Sequence, residues 1–191
     1  RQASAQSVAD AIAQAVEARS GKYIAYFPSY AYLELVRERL QVSVPLLVQR
    51  RDMDEASRQA FLDAFSLGEG PRLGLCVLGG LFSEGIDLPG DRLVGAIIVG
   101  VGLPVPSPRL EAIQSCYERH YGDGFGLAYR IPAMHKVLQA AGRVIRSEED
   151  RGLVLLLDDR YYAPEYAALL PAEWIVKDED VLGALKELEE S

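Results

Sequence analysis

The sequence predicts an α/β fold in which a doubly wound, mainly parallel sheet is flanked by helices. Apolar runs of about five to seven residues alternate with amphipathic segments of about ten to fifteen, as in right-handed βαβ units. The 191 residues, of which 49% are hydrophobic, suffice for one well-buried domain and are few for two. We therefore expect a single domain over residues 1–191, with an N-terminal helix (1–20), a core (21–162) and a C-terminal extension (163–191).

Five apolar runs predict the strands, and each has the composition of a strand buried on both faces of a parallel sheet. They cover residues 22–27, 44–49, 73–78, 94–99 and 153–157. Apolar residues at helical spacing predict helices over residues 4–18, 29–40, 54–66 and 109–121, and a further helix entered through Pro132. Ligands of such sheets bind beyond the carboxyl ends of the strands.

The helix entered through Pro132 carries a polar face. Its apolar stripe is predicted to consist of Met134, Leu138, Ala141 and Ile145. Gln139, Arg143 and Arg146 follow at i, i+4 and i+7, so a helix would gather one amide and two guanidinium groups in one sector. Gly142 inside this helix would cost about 1 kcal/mol relative to alanine, which indicates the close approach of a backbone or a ligand. The alternative is a solvated face with an incidental glycine.

A glycine-rich segment, residues 79–91, follows the third predicted strand. Its glycines, carboxylates and serine are suited to a phosphate-bearing or hydroxyl-rich ligand, and the alternative is a long connection with turn glycines. The chain has no Gly-x-x-x-x-Gly-Lys-[Ser/Thr] phosphate loop, and no apolar strand ends in the Asp-Glu pair that would hold Mg²⁺. The arginines are therefore suited to a phosphate that another part of the site must cradle.

Composition limits the remaining possibilities. The net charge of −8 argues against a large nucleic-acid footprint, although a local basic strip is compatible with an acidic domain. Cys76 and Cys116, without a Cys-x-x-Cys pair, predict buried thiols and no metal site. The sequence shows no membrane-spanning run and no signal-peptide pattern, so we expect a soluble, cytoplasmic protein. The chain begins at Arg1 without a methionine, which is typical of an excised or processed chain.

Three segments together resemble motifs IV, V and VI of the XPD/DinG family of superfamily 2 DNA helicases. They are Phe-Pro-Ser-Tyr at 27–30, Phe-Ser-Glu-Gly-Ile-Asp-Leu-Pro-Gly-Asp at 82–91, and Gln-Ala-Ala-Gly-Arg-Val-Ile-Arg at 139–146. Their order and separations match the family, and the likeness continues through Asp150, Gly152 and the Asp-Asp-Arg-Tyr stretch at 158–161. It covers nearly the whole chain except the first helix and the acidic tail.

The resemblance implies a second RecA-like motor domain. In that family ATP lies between two such domains, and the first supplies the phosphate loop, the Mg²⁺-binding pair and usually an iron–sulfur cluster, none of which this sequence contains. Gln139, Arg143 and Arg146 would face the triphosphate as the catalytic residues. One arginine would be the finger that stabilises charge in the transition state, and Arg146 is the preferred candidate.

The other two motifs imply coupling and DNA binding. The residues that would couple nucleotide state to DNA grip are Glu84, Gly85 and Asp87. Those that would contact single-stranded DNA are Ser29, Tyr30, Phe82 and Ser83. The expected partners are single-stranded DNA and the first RecA-like domain of the same parent chain, and the isolated domain is expected to be monomeric. The alternatives are a RecA-like module that serves only as a protein-interaction scaffold, and a transferase that binds a nucleotide sugar at residues 79–91.

Overall fold

A computed structural model of the protein describes residues 2–80, 82, 93–144, 152–172 and 174. Its centre is a five-stranded sheet in which every pair of neighbouring strands is parallel. The strands are β1 (Lys22–Phe27), β2 (Leu46–Val48), β3 (Arg72–Val77), β4 (Gly95–Val99) and β5 (Leu153–Leu157). They lie in the order β2-β3-β1-β4-β5, which confirms the predicted doubly wound parallel class.

Helices precede and connect these strands. They are α1 (Gln2–Ala18), α2 (Tyr30–Arg37), α3 (Glu55–Ser66), α4 (Pro108–Tyr121), α5 (Ile131–Ala141) and α6 (Pro164–Ala167). A π-helical segment (Gly126–Arg130) leads into α5, and a 3₁₀ turn (Asp159–Tyr162) follows β5. The starts of α2, α3 and α4 follow from the sequence, because Ser29, Asp54 and Ser107 each accept a hydrogen bond from a first-turn backbone N–H.

Side chains that alternate along the central strands build two cores, one on each face of the sheet. Tyr23, Ala25 and Phe27 of β1 belong to the core that includes α1 and α2. Ile24 and Tyr26 belong to the opposite core, which includes α3 and α5. This two-sided burial explains why the strands are recognisable in the sequence as continuous apolar runs.

Helix α5 differs from its prediction at both ends. Pro132 is not the start of the helical backbone, since the π-helical segment precedes it and the Ile131 N–H donates to the Gly126 carbonyl. The wider turn fits a residue that has no N–H to donate and whose ring crowds the preceding turn. At the other end, α5 stops at Ala141, and the Arg143 and Val144 N–H groups donate three residues back, over 3.3 and 2.9 Å. Gly142 is therefore the residue after the helix and not an interior position.

The buried stripe of α5 is broader than predicted. Met134 and Ala141 are buried as expected, but Leu138 is only half-buried, and Ala133, Val137 and Ala140 complete the stripe. A helix that lies on a sheet buries a sector at least about 100° wide, which a single four-residue series under-represents. Ile145 lies outside the described residues.

The cysteine prediction is half right. Cys76 is buried on β3, and this burial raises the pKa of its thiol far above the ordinary value. Cys116 is exposed, because α4 has no buried residue. Among the described helices none is long and apolar enough to cross a bilayer. In the same part of the chain, no group of three or more His, Cys, Asp or Glu residues is placed to hold a metal ion.

Candidate functional site

The carboxyl ends of the strands form one edge of the sheet, and two of the five predicted site residues that the structure describes, Ser29 and Tyr30, lie there. Ser29 and Tyr30 follow β1, the Gly79–Gly80 turn follows β3, and Asp158 follows β5. The elements thus bring motif IV and the turn that precedes motif V to one edge, as expected for a ligand-binding edge of a parallel sheet.

Ser29 has a structural task at this edge. Its Oγ accepts a hydrogen bond from the Tyr32 N–H over 3.2 Å and caps α2. The half-buried hydroxyl keeps its own proton, which remains available for donation.

Tyr30 is held in place by a residue that sequence reasoning missed. The Gln49 Nε2 donates to the Tyr30 hydroxyl over 3.0 Å, and the Gln49 Oε1 accepts from the Val77 N–H over 2.8 Å. Gln49 is only 1% exposed, so its buried amide links the residues after β1 to the end of β3. The guanidinium of Arg51 lies 5.4 Å from the centre of the Tyr30 ring, within cation–π range. The sequence feature that could have identified Gln49 is a single glutamine directly after a short apolar strand.

Phe82 is described but is not brought to the surface with Tyr30. Its ring is 3% exposed and stacks on Phe61 of α3, with centroids 4.4 Å apart and planes inclined by 20°. The structure therefore gives Phe82 a place in the core beside α3.

The polar face of α5 is described in part. Gln139 is exposed on the helix, and Arg143 is half-buried in the turn that follows it. Burial raises the pKa of the Tyr26 phenol, as does neighbouring Cys76, while the positive charge of Arg143 acts in the opposite direction. Arg143 is thus close to the buried hydroxyl of Tyr26, for which no hydrogen-bond partner is found within the described part of the chain.

Several predicted site residues lie outside the described residues. They are Ser83, Glu84, Gly85, Asp87 and Arg146.

A hydrogen-bonded clamp, formed by Asp158, Arg160 and Tyr161, lies directly after β5 and joins it to the end of β4. Asp158 accepts hydrogen bonds from the Arg160 Nε (2.8 Å), Nη2 (2.7 Å) and backbone N–H (3.0 Å). The buried Tyr161 hydroxyl donates to the Gly100 carbonyl over 3.0 Å. The Asp-Asp-Arg-Tyr stretch, which forms part of the resemblance, therefore fixes the backbone at this edge.

Comparison with known proteins defines the class. A family model described as "Helicase C-terminal domain" matches residues 12–177, which include all three motifs. The chain belongs to this family, and within it to the C-terminal domains of XPD/DinG-type helicases.

Two relatives illustrate this placement. The chain is 39% identical to the ATP-dependent DNA helicase DinG of Photobacterium profundum over 92 residues, which are 48% of this chain and 13% of that protein. It is 31% identical over 170 residues to the Schizosaccharomyces pombe XPD helicase subunit of general transcription and DNA repair factor IIH. That match covers 80% of this chain and 21% of the relative, so the chain spans only a small share of these relatives.

Solved structures agree. An XPD helicase matches with a TM-score of 0.70 and 25% identity, over 88% of this chain and 30% of that one. Domain 2 of the DEAD-box helicase Mss116p, bound to an RNA duplex, matches with a TM-score of 0.52 over 98% of this chain and 65% of that one. At 16% identity the second likeness shows the RecA-like fold alone.

Proposed function

We propose that the chain is the second RecA-like motor domain of an ATP-dependent DNA helicase and completes an ATP site shared with a first domain of the same parent chain. The observation that carries this proposal is the family match over residues 12–177, within which the three motifs occur in order. It favours a motor domain over a protein-interaction scaffold and over a nucleotide-sugar transferase. Such a motor would act inside the cell, where the DNA is.

Binding of ATP and Mg²⁺ would fall mainly to the first domain, because this chain has no phosphate loop and no strand that ends in Asp-Glu. Any iron–sulfur cluster would belong to that domain as well. The part played by this chain is to present Gln139, Arg143 and Arg146 across the cleft. A guanidinium aimed at the transferred phosphoryl group stabilises the charge that spreads over its oxygens in the transition state. Support for this role comes from Arg143, which is half-buried beside the end of α5.

The DNA-facing role would belong to the carboxyl edge of the sheet. Tyr30 offers an aromatic ring whose orientation is set by Gln49, and base stacking on such a ring contributes about 1–3 kcal/mol per base. Ser29 and Ser83 would add hydrogen bonds to the DNA, and Phe82, which stacks on Phe61 in the core, would anchor the start of motif V. Glu84, Gly85 and Asp87, in the segment between this edge and α5 along the chain, would link nucleotide state to DNA grip.

The test replaces each arginine by lysine in a chain that also carries the first domain. Lysine keeps the charge but loses the planar fork. Loss of a finger lowers turnover by about 10³–10⁵, or roughly 4–7 kcal/mol. We expect Arg146→Lys to show the larger loss of ATP hydrolysis and Arg143→Lys a smaller but still sharp loss, with unchanged circular dichroism.

A matched control is Arg37→Lys, since Arg37 is an exposed arginine at the far end of α2, paired with Glu34 over 2.7 Å. A surface pair of this kind is worth about 0–1 kcal/mol, so turnover should not change. If both motif arginines also change turnover by less than about threefold, under 1 kcal/mol, they do not touch the reacting phosphate and the proposed role is wrong.

A further inference from the structure

A lysine of α5 lies over the turn that follows β3. The Gly80 N–H donates to the Val77 carbonyl over 3.0 Å, and Gly79 has a φ of +72°, which closes a tight turn that favours glycine. A methyl group on Gly79 would lie 2.9 Å from the Lys136 Cδ and 3.0 Å from its Nζ. The Lys136 side chain therefore crosses the turn, and its ammonium group reaches the carboxyl edge of the sheet.

The charge of Lys136 is not neutralised within the described residues. Its ammonium group has no carboxylate within 4.0 Å there and donates no hydrogen bond to that part of the protein. Two other cations of the same part do have partners. Arg160 pairs with Asp158 over 2.7 Å, and the buried Lys22 donates to the Ser66 carbonyl over 3.0 Å. Lys136 is half-buried as a residue, and an anionic ligand at the edge would give its ammonium group a counter-ion.

The position of Lys136 along α5 indicates which anion it meets. Lys136 lies in the middle of α5, whereas Arg143 lies in the turn that follows the end of the helix at Ala141. Val144, just beyond the helix, contacts Gly152 ahead of β5, which places the end of α5 near the amino edge of the sheet. Lys136 is therefore nearer the carboxyl edge than Arg143, the described arginine of those assigned to the nucleotide.

The other side of the turn offers complementary groups. An added Cβ on Gly80 would lie 3.0 Å from the Gln49 Nε2, the same amide nitrogen that donates to the Tyr30 hydroxyl. The Arg51 guanidinium covers the Tyr30 ring. From Lys136 to Arg51 the edge thus presents a cation, two residues without side chains, an aromatic ring and a second cation. This sequence of groups suits a strand of alternating phosphates and bases.

We propose that Lys136 binds a backbone phosphate of single-stranded DNA where the strand crosses the Gly79–Gly80 turn, with Tyr30 and Arg51 on the far side. The inference rests on the proposed function and adds to it a residue of α5. The same helix then carries a DNA-facing lysine at its middle and Gln139 nearer its end, with Arg143 just beyond the helix. The proposal also identifies Lys136 and Arg51 as a local basic strip in a chain whose net charge is −8.

The test is the binding of a fluorescent oligo-dT to the 191-residue chain, followed by anisotropy across a range of NaCl concentrations. We expect Lys136→Gln to weaken binding about three- to tenfold at low salt and to reduce the slope of log K against log salt by about 0.7. Lys136→Arg should restore both values. Lys136→Met, which keeps the aliphatic stem over Gly79, should match Lys136→Gln and guards against a folding defect.

The control Arg37→Gln removes the same charge at the amino edge and should leave the slope unchanged. If Lys136→Gln and Lys136→Met behave like this control, the inference is overturned while the proposed function stands. If the wild-type chain does not bind oligo-dT at low salt, the inference and the DNA-binding part of the proposed function both fail. If DNA affinity is intact but ATP hydrolysis by the two-domain chain falls, the phosphate belongs to the nucleotide and the DNA assignment is wrong.

Discussion

Asp158 illustrates at the scale of one residue how a charged motif can serve the fold. Burial alone would raise the pKa of Asp158, but the hydrogen bonds and the charge of Arg160 outweigh it and hold the pKa below the ordinary value. The carboxylate also caps the 3₁₀ turn through the Arg160 N–H. Its ionised form is therefore the one that the folded chain prefers.

We predict a pH-dependent stability difference between the wild type and Asp158→Asn. Because the folded-state pKa is depressed, the stabilisation is present above the unfolded pKa of about 3.9 and is lost as the pH falls through the folded-state pKa. Asparagine keeps the cap, so the variant isolates the charge. Urea unfolding should show a loss of about 1 kcal/mol or less at pH 7, since the pair is partly exposed, and a smaller difference at pH 3.

Asp159→Asn is the control for that experiment, because Asp159 is exposed and has no role in the clamp. An equal difference between wild type and Asp158→Asn at both pH values would mean that the charge of Asp158 does not stabilise the fold.

Single residues also mark the limit of sequence reasoning. Ser29 was assigned to the site by the motif, yet the motif could not show that its Oγ caps α2. Gln49 was missed altogether, because its importance arises from two hydrogen bonds to residues 19 and 28 positions away in the chain. Such contacts depend on the order of strands in the sheet, which the apolar pattern of any one strand does not contain.

At the scale of elements, the connection between α4 and α5 shows how glycines can mislead. Three glycines among residues 121–126 are typical of a loop, but helical backbone resumes at Gly124, soon after the left-handed Gly122 ends α4. Asp123 supports this second start, since its Oδ1 accepts from the Gly126 N–H over 2.8 Å. The glycines of this stretch thus include positions where two helical segments approach closely, which composition alone cannot distinguish from turn positions.

Gly124 is such a position, and we predict that Gly124→Ala destabilises the protein. An added Cβ would lie 2.5 Å from the Gln114 carbonyl oxygen and 2.9 Å from a Glu118 carboxylate oxygen. Relief requires α4 to move, and overpacking of this kind costs about 1–3 kcal/mol. The free energy of unfolding, measured in urea, provides the test.

Gly142→Ala is its matched control. Gly142 has a φ of −63°, is exposed, and an added Cβ would lie 3.3 Å from the nearest atom, the Leu138 carbonyl oxygen. We expect its free energy of unfolding to change by less than about 0.5 kcal/mol. A loss as large as that of Gly124→Ala would contradict the placement of Gly142 after the helix.

At the scale of the whole molecule, the class of the fold was predictable because parallel strands are covered on both faces and stand out as apolar runs. All five predicted strands are present, and the second is shortened to Leu46–Val48. The order β2-β3-β1-β4-β5 was not predictable from those runs, because each is equally apolar and carries no label for its neighbours. The resemblance to XPD/DinG helicases rested instead on polar residues, whose types are set by chemistry and not by burial.

The last prediction concerns the chain on its own, which we expect to be a folded monomer without DNA-stimulated ATP hydrolysis. Arginines that stabilise a transition state contribute nothing unless another surface positions the triphosphate and Mg²⁺, and this chain has no phosphate loop. Light scattering after size exclusion reports the mass, and steady-state assays with and without oligo-dT report turnover. A chain that also carries the first domain serves as the positive control. Turnover that co-purifies with the isolated chain and disappears in Arg146→Ala would show that the chain holds ATP unaided, and would refute the shared-site proposal.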